Sequence, residues 1–439
     1  MKPIKLLIAA IVLAGLAGVI WWANKHPEQP TTPAITSVKL FAVPDAQLQS
    51  VEVQRKDAPL LSVTKESSKW EIISPQKYPA DQDAVQSMVS SLSDISADSV
   101  VESSAGNLAE FGLADPAVSV TAHEKNGKTI QIAFGMDVPA SAEVYAKVGT
   151  TPKVYEVSSS LKSSFSKDVN DLRDKRMLAF DSAQISLLQL IQPKGQIDFG
   201  KLNATDWQMV KPGPYRADNF QVDDLVHKLS DAKMDLSVKP EDAKAAETAF
   251  KTGKPVATVK VTDPNGVHSL EVRQNKDDYY AQSNTGLGDY KIASDLGQLL
   301  AKSVDDFRTK KLFDFGFSDT RKLDLHSPSG DKTYVRAGAD WKYNGKNMDA
   351  GSVQALVVKL RDLTATAFVT TGFGNPSIGI TVVSNDGKRT EHIDIAKVTD
   401  GYIAKREGQP TLYKLDSKAV NDILEAASGI KPMASGTKK

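Results

Sequence analysis

The residues with the chemistry to act on a substrate are few and widely spaced. Six histidines stand at His26, His123, His227, His268, His326 and His392. A zinc or hydrolytic centre built on a local motif places its imidazoles by a spacing such as H-E-x-x-H, one helical turn apart. Neither that spacing nor H-x-H occurs, so the six read as surface or strand-face histidines and no metal ligand is assigned. The chain has no cysteine, which removes disulfides, thiolate metal sites and cysteine nucleophiles together. It also lacks the G-x-S-x-G turn that presents a serine and the Walker loop that cradles phosphates. Asp314-Phe315-Gly316 spells the metal-binding triplet of kinases, but no H-R-D loop accompanies it. Thr285-Gly286-Leu287-Gly288 and Gly372-Phe373-Gly374 lack the strand before and the helix after that a phosphate loop requires, and read as turns. The acidic pairs Asp223-Asp224, Asp277-Asp278 and Asp305-Asp306 are chain neighbours, which do not converge on one substrate atom. They read as solvated faces. No catalytic, cofactor-binding or metal residue is therefore expected, and the chain reads as a non-enzyme.

Aromatic platforms are the other chemistry to test, because stacked rings bind sugars. Trp70, Trp207 and Trp341 recur in matching surroundings, each at the end of a predicted strand. A large ring there fills the space between sheet and helix, and core packing is the reading adopted. Charge adds no partner. Lys+Arg and Asp+Glu both number 54, so no net field favours nucleic acid.

The elements that carry these residues begin with an apolar run. Leu6 to Ala23 spans eighteen residues without a charge, about 27 Å of helix at 1.5 Å per residue, close to a bilayer core. Lys2 and Lys5 precede it, which favours a cytoplasmic N-terminus, and Trp21 and Trp22 close it where indoles favour the headgroup interface. The run reads as an uncleaved signal anchor rather than a cleaved signal peptide. The expected address is the inner (cytoplasmic) membrane, single-pass, with the body periplasmic or extracellular. Asn24 to Ser37, with three prolines, reads as a semi-stiff spacer.

Beyond the spacer the same landmarks recur three times in the same order. Alternating strand residues come first: Val51 and Val53, Leu188 and Leu190, Leu323 and Leu325. The tryptophan follows, then Asp81, Asp218 or Asp349 ahead of an apolar stripe at helical spacing. Val85, Met88, Val89 and Leu92 make the first stripe, Val222, Leu225, Val226 and Leu229 the second, Val353, Leu356, Val357 and Leu360 the third. Each aspartate sits where its carboxylate can cap free backbone N–H groups. A proline follows at Pro116, Pro255 or Pro376, then a hairpin turn at Asn126-Gly127, Asn265-Gly266 or Asp386-Gly387. Tyrosine pairs close each copy, at Tyr145 and Tyr155, Tyr280 and Tyr290, Tyr402 and Tyr413. The first two copies leave through DLRDKRML and DDFRTKKLF, which align Arg173 with Arg308. The third copy is shorter and lacks this exit, as terminal members of an array often do.

The expected fold class is α+β: an N-terminal transmembrane helix followed by three tandem α+β repeats, each an antiparallel sheet with a covering helix. The boundaries are 1–23 for the anchor, 24–37 for the spacer, 38–178, 179–314 and 315–432 for the modules, and 433–439 for a disordered tail.

The order of strand, tryptophan, helix, Phe111-Gly112-Leu113-Ala114-Asp115-Pro116, hairpin, VY strands and LRDK resembles the bacterial domain-of-unknown-function family 4340, with the best match over residues 38–178. The resemblance implies a membrane-anchored protein associated with ABC transporter components of the gliding-motility type. The family has no established catalytic residues, so none carries over. The expectation is a non-enzymatic envelope accessory or scaffold, with the membrane and ABC transporter subunits as partners, no cofactor and no nucleic acid. The alternatives are an anchored envelope hydrolase and a glycan- or peptide-binding module.

Overall fold

Strand alternation turns one row of side chains into a core and leaves the other wet. In Val118–Glu124, Val118, Val120 and Ala122 are buried while Ser119, Thr121 and His123 are partly exposed. A computed structural model of the protein describes residues 15, 21, 22, 37–284, 288–316 and 319–433. The chain divides into two compact units, Met1–Lys175 and Arg176–Lys439.

The first unit holds a nine-stranded antiparallel sheet. Its spatial order is Tyr78–Pro79, Lys69–Ser74, Leu61–Glu66, Leu48–Arg55, Val118–Glu124, Thr129–Asp137, Glu143–Val148, Val154–Ser158, Ser99–Glu102. Two meanders thus meet at a central seam. A small two-stranded sheet pairs Val38–Ala42 with Asp94–Ala97.

The second unit holds two such sheets. One runs Tyr215–Arg216, Trp207–Lys211, Gly195–Lys201, Leu187–Gln192, Lys254–Asp263, Gly266–Asn275, Asp278–Ser283, Asp289–Ile292. The other runs Lys346–Met348, Asp340–Tyr343, Lys332–Ala337, Lys322–His326, Ile378–Ser384, Arg389–Val398, Gly401–Arg406, Leu412–Leu415, Ala367–Val369. The seam has one register throughout. Val53 faces Val120, Leu190 faces Val259 and Leu325 faces Ile380, all buried. The middle sheet has eight strands, one fewer than its neighbours in sequence. Where they carry a ninth strand, its chain enters the Pro240–Thr252 helix instead.

More than one helix packs on each sheet: a closing helix, Ser159–Phe165, Ser294–Leu300 or Ser417–Ser428, joins the one that carries the apolar stripe. Gln82–Ser90, Asn219–Asp231 and Ala350–Arg361 bury the stripes headed by Val85, Val222 and Val353. Asp81 accepts from the N–H groups of Asp83 and Ala84, Asp218 from Gln221 and Asp349 from Ser352. Under the helices lie Trp70, Trp207 and Trp341, each no more than 4% exposed. The Trp207 indole N–H donates to Asp223 at 2.7 Å and that of Trp70 to Gln86 at 3.2 Å. At the hairpin turns Gly127 and Gly387 have φ of +85° and +86°, a region that side chains disfavour. The exit segment of each copy lies beside the helix entry. The Asp81, Asp218 and Asp349 N–H groups donate to the carbonyls of Leu172, Phe307 and Lys431.

The structure corrects two expectations. The described fold is mostly β, four antiparallel sheets, not α+β with a transmembrane helix. The helices on each sheet are few and short, whereas nearly every link between landmarks is itself a strand. The N-terminal transmembrane helix and the single-pass inner-membrane address fall together. Among the described residues no helix is long and apolar enough to cross a membrane. The longest described helices have 13 residues, about 20 Å against a hydrocarbon core of about 30 Å. The anchor reading rested on the length and apolarity of one run. Leu6 to Ala23, apart from Gly15, Trp21 and Trp22, lies outside the described residues, as do spacer residues 24–36, the turn at 285–287 and tail residues 434–439.

Candidate functional site

Pairing register decides which polar side chains meet on the face of a sheet away from its helices. On the third sheet, Thr381 stands opposite His392, and Gly379 stands between His326 and Asp394. The inward neighbours Ile380, Ile393 and Ile395 are buried, which turns Thr381, His392 and Asp394 outward. The Thr381 hydroxyl lies 2.8 Å from His392 Nδ1, and His392 Nε2 lies 3.3 Å from an Asp394 oxygen. Beside them Thr333 donates to Asp324 at 2.7 Å, and Lys322 pairs with Asp324 at 2.8 Å. His326, at the end of its strand, pairs with Asp331. These polar groups share one face of the sheet, a grouping that chain spacing does not reveal. Its one local signal is the i, i+2 spacing of His392 and Asp394.

The other described histidines do not gather. His123 meets Thr129 at 3.2 Å, His227 is exposed on its helix, and His268 lies 3.1 Å from Asp263. His26 lies outside the described residues. Among the described residues no three His, Cys, Asp or Glu side chains stand together as a ready metal site.

Five residues of the acidic pairs have structural tasks. Asp223 holds the Trp207 indole and Asp224 pairs with Lys228 at 3.9 Å. Asp278 pairs with Lys291 at 2.9 Å and Asp305 with Arg308 at 2.8 Å, while Asp306 caps Ser303. Asp314, the first residue of the kinase-like triplet, anchors the passage between the two sheets of the second unit. It pairs with Arg216, accepts from Arg389 through its backbone carbonyl at 2.8 Å, and donates its N–H to Glu391 at 2.9 Å. Gly372-Phe373-Gly374 lies in the loop ahead of Ile378–Ser384 and opens no helix.

Arg308 joins the same two sheets. Its guanidinium lies 4.0 Å from the Tyr215 ring and 3.7 Å from the Phe368 ring, and donates to the Thr411 hydroxyl at 3.0 Å. In the first unit the matching Arg173 lies 3.9 Å from the Tyr78 ring.

Two grooves are open to solvent. One, about 400 Å³, lies between Asp231–Lys233 and Lys291–Leu296, and its Lys228 pairs with Asp295. The other, about 460 Å³, lies over Gly112, Gly135 and Met136, with Lys56 paired to Asp115 and Lys162 to Asp137. Its floor explains the glycine of the Phe-Gly-Leu phrase: Gly112 has φ +68°, and a Cβ there would stand 2.7 Å from Met136 Cγ. A Cβ at Gly135 would stand 2.1 Å from the Phe111 carbonyl oxygen, so no side chain fits.

The fold and this site define a class: tandem antiparallel sheets with short helices packed on one face. Residues 70–206 and 207–378 match, one after the other, the family model described as Domain of unknown function (DUF4340). The chain belongs to that family. The two matches extend past the 38–178 expected, and each opens on a core tryptophan. No curated protein matches the chain. Among solved structures, a DNA polymerase sliding clamp from Pseudomonas aeruginosa with ligand is 7% identical, covered over 85% of this chain and 92% of that one, with a TM-score of 0.16. The DNA polymerase III subunit beta from Pseudomonas aeruginosa is 6% identical over 89% and 94%, with a TM-score of 0.15. Neither likeness carries an argument.

Proposed function

We propose that this protein is a non-enzymatic scaffold that holds a protein partner, a subunit of an ABC-type transporter or a related envelope complex. One observation carries the reading: the residues that recur from copy to copy are consumed by the fold. The tryptophans fill cores, the aspartates cap helices, the glycines make turns and the paired arginines stack on tyrosines. Catalysis needs groups with tuned proton affinity converging on a reacting atom, and the recurring groups are engaged elsewhere. What repetition leaves over is surface, and repeated surfaces bind through several weak contacts at once. The transporter as partner rests on the family resemblance alone.

Mild crosslinking of the native protein in cells, followed by purification and mass spectrometry, tests this. The expected result is a defined complex that contains transporter subunits. A purified protein that recovers no such subunit and hydrolyses an envelope polymer overturns it in favour of an enzyme.

A further inference from the structure

We propose that the outer face of the third sheet binds a zinc-class divalent ion between His392, Asp394 and His326. Two of these groups already stand at ligand spacing. Zinc bonds of about 2.0–2.2 Å at a tetrahedral angle place neighbouring ligand atoms about 3.3–3.4 Å apart. His392 Nε2 and the Asp394 oxygen are 3.3 Å apart, longer than the roughly 2.7–2.9 Å of a charge-assisted hydrogen bond. Among the described residues no lysine or arginine pairs with Asp394, whose ion-pair partner is His392.

The ring is already oriented. Nδ1 lies 2.8 Å from the Thr381 hydroxyl, the outer contact that fixes tautomer and direction in metal-binding histidines. With metal on Nε2, the ring proton sits on Nδ1 and donates to Thr381. A hydroxyl accepts as readily as it donates.

Gly379 makes room for the third ligand. A Cβ on it would lie 3.6 Å from the His326 Cβ, 3.6 Å from the His392 Cε1 and 3.7 Å from an Asp394 oxygen. The absent side chain leaves a gap ringed by the three candidates. The His326 ring, largely exposed, now pairs with Asp331. The three are not gathered as they stand, so binding requires the His326 ring to turn into the gap, a fast motion for an exposed side chain. Water completes the four-coordinate shell. Two imidazoles and one carboxylate suit zinc and its neighbours rather than magnesium or calcium.

The sister sheets serve as internal controls. At the matching register the first sheet carries Ser119, Thr121, Gln131 and Ala133, and the second Thr258, Lys260, Ser269 and Glu271. Neither has a histidine there.

The test titrates the full chain with zinc chloride by calorimetry, and with cobalt(II) for the absorption of a tetrahedral site. One saturable ion per chain is expected. His392→Ala, Asp394→Asn and His326→Ala should each weaken binding at least tenfold, and Thr381→Val about tenfold through the outer contact. Gly379→Val fills the gap without removing a ligand and should weaken it comparably, with circular dichroism confirming the fold. His123→Ala and His227→Ala should leave affinity unchanged. Absence of saturable binding, or unchanged affinity in His392→Ala or His326→Ala, overturns the proposal.

Discussion

Asp263 shows how much one side chain can hold. Its carboxylate is fully buried and accepts from the Asp181 N–H at 2.8 Å, the Asn265 N–H at 2.8 Å and the His268 ring at 3.1 Å. The Asp181 N–H foremost, then the Asn265 side chain and His268, outweigh burial and hold this carboxyl far below the usual range. A depressed native value stabilises the fold above the unfolded pKa of about 3.9, and the contribution drains away as pH falls toward the native value. Asp263→Asn should therefore unfold at lower urea than the wild type at pH 7, with the gap narrowing below about pH 4. A gap that widens on acidification would contradict this assignment. Little of this cluster was legible in the sequence. Asp263, Asn265 and Gly266 mark a turn, but Asp181 arrives from 82 positions away. The Thr381, His392 and Asp394 row was hidden for the same reason, since strand register and not chain spacing assembles it. The tryptophans were legible because their strand and helix neighbours recur with them.

At the level of elements, capping is the interaction easiest to isolate. Asp349 accepts from the Ser352 N–H at 2.8 Å at the head of Ala350–Arg361. Asp349→Ala should cost about 1 kcal/mol by urea melting, and Asp349→Ser should restore most of it, because serine caps nearly as well. Equal losses for both would mean that the carboxylate does something other than cap. The covering helices were readable because a stripe at steps of three and four is unambiguous over three turns. The strands were undercounted because two- to four-residue strands such as Tyr78–Pro79 and Ser99–Glu102 are too short to alternate visibly. The Pro240–Thr252 helix was missed for another reason. It buries Phe250 alone, so it has no stripe, and its signals are Pro240 at the first turn and an alanine-rich body.

Across the second unit, the two large sheets share a clasp rather than a linker. Arg308 sits between Tyr215 of one and Phe368 of the other, with Arg216 and Asp314 alongside. Arg308→Ala should destabilise this unit by about 2–4 kcal/mol, two desolvated cation–π contacts of roughly 1–2 kcal/mol each. Calorimetry should then show the two sheets of the unit melting less cooperatively than in the wild type. Arg308→Lys, which keeps the charge but not the stacking plane, should recover only part. An unchanged profile for Arg308→Ala would mean that the sheets are joined by other contacts. The sequence pointed at this arginine through the paired exit phrases, but not at Phe368, which belongs to the next copy. The strand of the core tryptophan is the third of each large sheet in chain order, and the family matches open on it, at Trp70 and Trp207. Each match therefore opens inside a sheet rather than at its first strand, and the second runs on to 378, past Trp341 in the next sheet. A crossover that deleted one whole period, 70–206 for instance, would join the two strands ahead of Trp70 to the strand of Trp207. The product would still spell one complete sheet and then another. The large sheets would stay whole, but Val38–Ala42 would lose Asp94–Ala97, its partner in the small sheet.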